Sequence, residues 1–128
     1  MSNEADTIVS AIIAKWYAGF ATLDAAALSS LYSKNAFFFG SNPKLYRGRD
    51  RVADYFNGLP RWRQPSVVFS EVNAAQAGSD LINMAAIVSF DLAGERPEFS
   101  VKMSWVILRE DGDWKIVNHH ASSRAPLI

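Results

Sequence analysis

Between Leu81 and Leu92 the side chains alternate without a break. Ile82, Met84, Ala86, Val88, Phe90 and Leu92 fall on one side of an extended chain, and Leu81, Asn83, Ala85, Ile87, Ser89 and Asp91 fall on the other. Successive strand residues point to opposite faces, so this segment has one wholly apolar face that it must bury. The next segment, Glu98 to Arg109, repeats the pattern: Phe99, Val101, Met103, Trp105 and Ile107 alternate with Glu98, Ser100, Lys102 and Ser104. Ser66 to Ala75 and Trp114 to Ser122 also read as strands. The breaks between them are Ala77-Gly78-Ser79-Asp80, Gly94 to Pro97, and Asp111-Gly112. The last is a hairpin signal, because Gly tolerates the positive φ that a two-residue turn requires. Four long strands in succession imply an antiparallel meander.

The first half of the chain has a different period. Ile8, Ile12, Trp16 and Phe20 form one helical row beside Val9, Ile13 and Tyr17, which predicts an amphipathic helix. Asp24 can cap a second helix over Ala25 to Tyr32, with Leu28 and Leu31 on one face. Ala36 to Phe39, ended by Gly40-Ser41-Asn42-Pro43, predicts a short strand that Lys44 to Arg47 can return to pair. Asp50 can cap a third helix through Val52, Tyr55 and Phe56, stopping at Gly58 and Pro60. The sum is an α+β chain: about three N-terminal helices packed on a mostly antiparallel sheet.

Charge and size narrow the function classes. A chain of 128 residues has the length of one domain and can bury roughly 70% of its extended surface. Its 13 basic residues balance 13 acidic ones, and 49% of it is hydrophobic. There is no net field to attract nucleic acid or an anionic membrane. Without cysteine the sequence offers no disulfide, no thiolate nucleophile and no zinc-finger set. The segment Met1 to Asp6 is polar and acidic and the apolar runs are short, so the expected location is cytoplasmic.

The order of elements resembles the NTF2-like superfamily, a cone-shaped fold that includes SnoaL-like cyclases, ketosteroid isomerases and the association domain of calcium/calmodulin-dependent protein kinase II. Four patterns carry the resemblance: Leu23-Asp24, Leu31-Tyr32-Ser33-Lys34-Asn35-Ala36, Tyr46-Arg47-Gly48 before Val52-Ala53-Asp54-Tyr55-Phe56, and the ending Gly112 to Ser123. It implies a strongly curved sheet wrapped around a pocket. It does not imply a reaction, since one scaffold hosts many. Compared with ketosteroid isomerase, the tyrosine donor position falls on Trp16, with Tyr17 adjacent, the base position falls on Gly40, and the second donor falls on Ser104. That chemistry needs a carboxylate base, and Gly40 supplies none, so steroid-type isomerisation is not expected.

His119 and His120 are adjacent on a strand, so only one can enter a pocket. Trp114 and Ile116 share a face with Asn118, His120 and Ser122, a row apolar at one end and polar at the other, which suits a pocket with a polar mouth. On that count His120 is the acid–base candidate; the competing reading is a histidine held by its neighbours. Tyr17, Tyr46 and Tyr55 can each send a phenol toward the cavity, the competing reading being core aromatics, and Trp16 reads first as a packing residue that can also line the pocket. Arg124 can meet a carboxylate at the mouth. Arg61-Trp62-Arg63 reads as a loop anchored by its tryptophan. No metal or cofactor set is expected, because the two histidines diverge and no Gly-rich phosphate loop is present.

The expected function is therefore a small-molecule pocket that binds or transforms a small, largely apolar ligand without a cofactor. The alternative is an association module. Val106 and Leu108 make the far end of the second sheet face apolar too, which predicts a homodimer through the sheet.

Overall fold

The computed structural model describes residues 4–92 and 98–128; the turn expected over Gly94 to Pro97 lies outside them. The first helix, α1 (Glu4–Ala21), buries Val9, Ile12, Trp16 and Phe20, a stripe lying between the two expected rows. Helix α2 (Ala25–Ser29) is capped by Asp24, whose carboxylate accepts from the Ala27 N–H at 3.0 Å, a contact worth about 1 kcal/mol. It stops short of Tyr32. The Ser29 and Ser30 hydroxyls donate back to the Ala26 and Ala27 carbonyls, and Tyr32 is drawn into strand β1 (Tyr32–Phe39).

Strand β2 (Leu45–Arg47) pairs antiparallel with β1. Helix α3 (Arg49–Asn57) begins at Gly48, not at a capping Asp50. Gly48 has φ of 89° and donates its N–H to the Ala36 carbonyl at 2.7 Å, a backbone turn that suits a residue without Cβ. Asp50 lies in the first turn, where its charge complements the helix dipole. The meander follows as β3 (Ser66–Gly78), β4 (Leu81–Asp91), β5 (Phe99–Glu110) and β6 (Asp113–Ser123).

All six strands form one curved sheet in the order β2-β1-β6-β5-β4-β3. Strand β1 runs parallel to β6, and the other neighbours are antiparallel. The β5–β6 turn has φ of 52° at Asp111 and 83° at Gly112, the two positive values of a type I′ hairpin. The inner face carries Ile82, Met84, Ala86 and Val88 of β4 with Met103, Trp105 and Ile107 of β5, all buried beneath the helices. Among the described residues no helix is long and apolar enough to cross a membrane.

Candidate functional site

The decisive local feature lies in β6. From the turn onward Glu110 pairs with Asp113, Arg109 with Trp114, Leu108 with Lys115, and Ile107 with Ile116. The next pair is Val106 with Asn118, which leaves Val117 as an extra residue. Such a β-bulge reverses which side chains face inward beyond it. Trp105 would sit beside Asn118 in an unbroken ladder; it pairs with His119 instead. The expected pocket row of Asn118 and His120 is thus corrected: both are exposed on the outer face, and His119 turns inward with 2% of its surface accessible.

Around His119 three elements converge. Trp105 of β5 donates its indole N–H to His119 Nδ1 at 3.0 Å, and the Tyr32 hydroxyl of β1 lies 2.9 Å from the same nitrogen. Trp16 of α1 donates its indole N–H to the Tyr32 oxygen at 3.0 Å. The imidazole stacks on Phe38 with centroids 4.0 Å apart and planes 18° apart. An indole N–H can only donate. Nδ1 therefore presents its lone pair and accepts from both Trp105 and Tyr32, and the ring proton resides on Nε2. Burial, and secondarily the neighbouring His120, lowers the His119 pKa from 6.5 to about 3, so the ring is neutral at physiological pH. Burial likewise pushes the Tyr32 phenol up, against the Trp16 hydrogen bond.

His119 lines a cavity of about 630 Å³ between α1, α3, the loop after α3 and the inner ends of β4, β5 and β6. The size is that of a ligand pocket. Trp16, Phe20, Phe38, Phe56, Trp62, Phe90 and Phe99 provide aromatic walls. Phe20 lies edge-on to Phe90 at 5.3 Å, and Phe90 stacks with Phe99 at 5.4 Å. Tyr55 accepts from the Ser41 N–H at 3.0 Å and donates to the Ser41 hydroxyl at 2.8 Å. Ser100 shares a 2.8 Å hydrogen bond with Ser89. No carboxylate or amine side chain occurs among the described lining residues. Gly40 also lines the cavity, and a Cβ there would fall 2.6 Å from the Tyr55 ring and hydroxyl. The position aligned with an isomerase base has no room for a side chain.

The other expected site residues divide as follows. Trp16 is buried and lines the cavity, whereas Tyr17 is 52% exposed, one helical step off the buried stripe. Tyr46 packs against Phe38 and Tyr55, and its hydroxyl accepts from Asn42 at 3.1 Å; it is not a lining residue. Ser104 projects outward between Met103 and Trp105. Ser122 borders both the cavity and a shallower concavity on the outer face, which it shares with Glu71, Asn73, Lys102, Ser104 and His120. Arg124 is exposed, 3.9 Å from Glu71. Arg61 donates to the carbonyls of Leu23, Phe56 and Leu59, and so ties the loop to the end of α3 while Trp62 enters the wall. Among the described residues no group of three His, Asp or Glu side chains could hold a metal ion.

Around the imidazole, the sequence pattern alone does not single out His119, Tyr32, Phe38 or Trp105 as site members. The available signal was Ile116-Val117, two consecutive apolar residues where regular alternation requires one to face solvent.

Helices packed on a curved six-stranded sheet, with an aromatic-walled cavity between them, make a pocket-bearing α+β domain. The chain belongs to the SnoaL-like domain family, which matches residues 9–126. No curated protein matches it in sequence. Among solved structures it is similar to a protein from Xanthomonas campestris described as a calcium/calmodulin-dependent protein kinase II association domain, at 23% identity and TM-score 0.85, covering 99% of this chain and 91% of that one. It is also similar to a protein from Novosphingobium aromaticivorans described as a scytalone dehydratase, at 13% identity and TM-score 0.78, covering 94% and 84%. A hexachlorocyclohexane dehydrochlorinase, type 2, aligns at 13% identity and TM-score 0.75, covering 94% and 85%. At these identities the likeness is one of fold.

Proposed function

We propose that this chain is a small-molecule-pocket protein of the SnoaL-like type, binding or transforming a small, largely apolar ligand. The observation that carries this reading is the cavity itself: about 630 Å³, walled by aromatic rings, with one neutral imidazole set into its floor. A structural module with no ligand would be expected to fill that volume with side chains, because interiors pack to crystal-like density. Two structurally similar proteins carry the names of enzymes acting on scytalone and on hexachlorocyclohexane, which agrees in kind.

Naphthalene titrated into 15N-labelled protein tests the reading. Trp16 and Trp62 line the cavity, while Trp114 lies on the last hairpin under the Arg109 guanidinium. Saturable shifts of the Trp16 and Trp62 indole signals with a still Trp114 signal are expected. No saturable shift at either lining tryptophan would sink the pocket reading.

A second reading, association through the sheet, is favoured by the outer face. There Phe37 is 44% and Phe39 37% exposed, and Val68 stands out from β3. Exposed apolar side chains toward both edges of one sheet face suit a broad contact with a second copy. The expected state is a homodimer, compatible with a working pocket. Sedimentation equilibrium should give twice the chain mass for the native protein, and Phe37→Asp with Val68→Asp should shift it toward monomer; a native monomer at all concentrations removes this reading.

A further inference from the structure

Resting on the pocket reading, we propose that the cavity selects flat, largely apolar molecules that carry one hydrogen-bond acceptor, a carbonyl or comparable oxygen, received by the Nε2–H of His119, which serves as a donor and not as a base. The argument is one of partners. Trp105 Nε1–H must donate, and Nδ1 is its acceptor at 3.0 Å. A proton on Nδ1 would set two N–H groups against each other and leave a buried indole donor unpaired, at the full cost of its desolvation. The Tyr32 hydroxyl is oriented the same way, since Trp16 already donates to its oxygen and leaves its proton for Nδ1. A relay of three aromatic side chains from α1, β1 and β5 thus fixes one tautomer of His119.

The remaining ring nitrogen faces the cavity. Among the described residues none bonds to Nε2, and no buried side-chain nitrogen or oxygen lacks a partner. Nε2 therefore keeps access to the open volume that His119 lines. Several other polar groups on the wall are engaged with each other, Tyr55 with Ser41 and Ser100 with Ser89, while the Trp62 indole and the Ser122 and Ser123 hydroxyls lie on other elements of the wall. A ligand in the cavity meets aromatic faces and, beside Trp16 and Phe38, the uncommitted Nε2–H of His119. Such a group favours ligands with an acceptor, because one without it would leave the N–H desolvated and unpaired. It has no lone pair with which to remove a proton. If the ligand is transformed, the imidazole stabilises negative charge developing on that oxygen.

The test uses the full chain and two probes of nearly equal shape, 2-acetylnaphthalene and 2-ethylnaphthalene. A long-range 1H–15N correlation spectrum at neutral pH should show His119 Nδ1 unprotonated and Nε2 protonated. The Nε2 proton should move and exchange more slowly on adding the acetyl compound. The acetyl probe should bind roughly threefold to tenfold more tightly than the ethyl probe, and His119→Phe should erase that ratio. If His119→Phe does not fold, the wild-type ratio and spectrum decide. A protonated Nδ1, or equal affinities for the two probes, overturns the inference and leaves the pocket intact. Binding of neither probe overturns both.

Discussion

His119 and His120 are consecutive residues of one strand, yet they live in different solvents. On the inner face His119 is enclosed by Phe38, Trp105 and Tyr32, neutral, and fixed in one tautomer. On the outer face His120 is exposed, with an edge-on contact to Phe39 at 5.4 Å, beside Ser104, Ser122 and Lys102 in a shallow concavity. The same side chain is a piece of structure and a candidate ligand contact on one side, and a solvated surface group on the other. What separates them is a backbone irregularity, the extra residue Val117, that decides which histidine the core receives.

Truncating each histidine should expose this difference most strongly. His119→Ala removes a stacked ring, opens a void beside Phe38, and strips Trp105 and Tyr32 of their acceptor. Core truncations and orphaned buried donors each carry substantial costs, and together they should lower stability by about 3 kcal/mol or more. His120→Ala should change it by about 0.5 kcal/mol at most. Urea unfolding of the two variants beside the native protein reads both numbers. Similar losses in the two would contradict the assignment of faces.

Much of the fold was legible for a physical reason: hydrophobic period is a local property. The alternation in β4 and β5, the Asp111-Gly112 turn and the helical rows of α1 each depend on residues a few positions apart, and each appears in the structure near its expected bounds. The site depended on parity instead. A face assignment on β6 propagates from the turn, and one bulge at Val117 inverts everything after it, carrying Asn118 and His120 out and His119 in. The parallel docking of β1 beside β6, which brings Tyr32 and Phe38 to His119, joins segments about eighty residues apart, and no local pattern encodes it. The inward row of β5 was read correctly, but Ser104 followed an alignment by resemblance and landed on the opposite face from Met103 and Trp105. Trp16 reads from the helical row as a packing residue, and the buried stripe of α1 places it both in the core and on the cavity wall.

A smaller effect per step, and one that sharpens the same contrast, is the response to acid. His119 titrates near 6.5 when free and at about 3 in the native chain. Between those values the unfolded chain binds a proton that the native one refuses, so stability rises with pH across that window and is lost as pH falls through it. The contribution is complete above about 6.5 and declines by up to about 1.4 kcal/mol for each pH unit below that. Tyr32 is the titratable group in contact with the ring; pushed upward by burial, it stays neutral throughout the window. Carboxylates also destabilise the native state in acid, but they do so equally in a variant that lacks only the imidazole. Unfolding free energies from pH 7 to pH 4 should therefore fall more steeply in the native protein than in His119→Gln, whose amide can still accept from Trp105. His120→Gln, on the exposed face, should leave the native slope in place. Parallel slopes for native and His119→Gln would mean that the inner histidine takes up its second proton at the same pH folded as unfolded, and would contradict a ring kept neutral by burial beside the Trp105 donor.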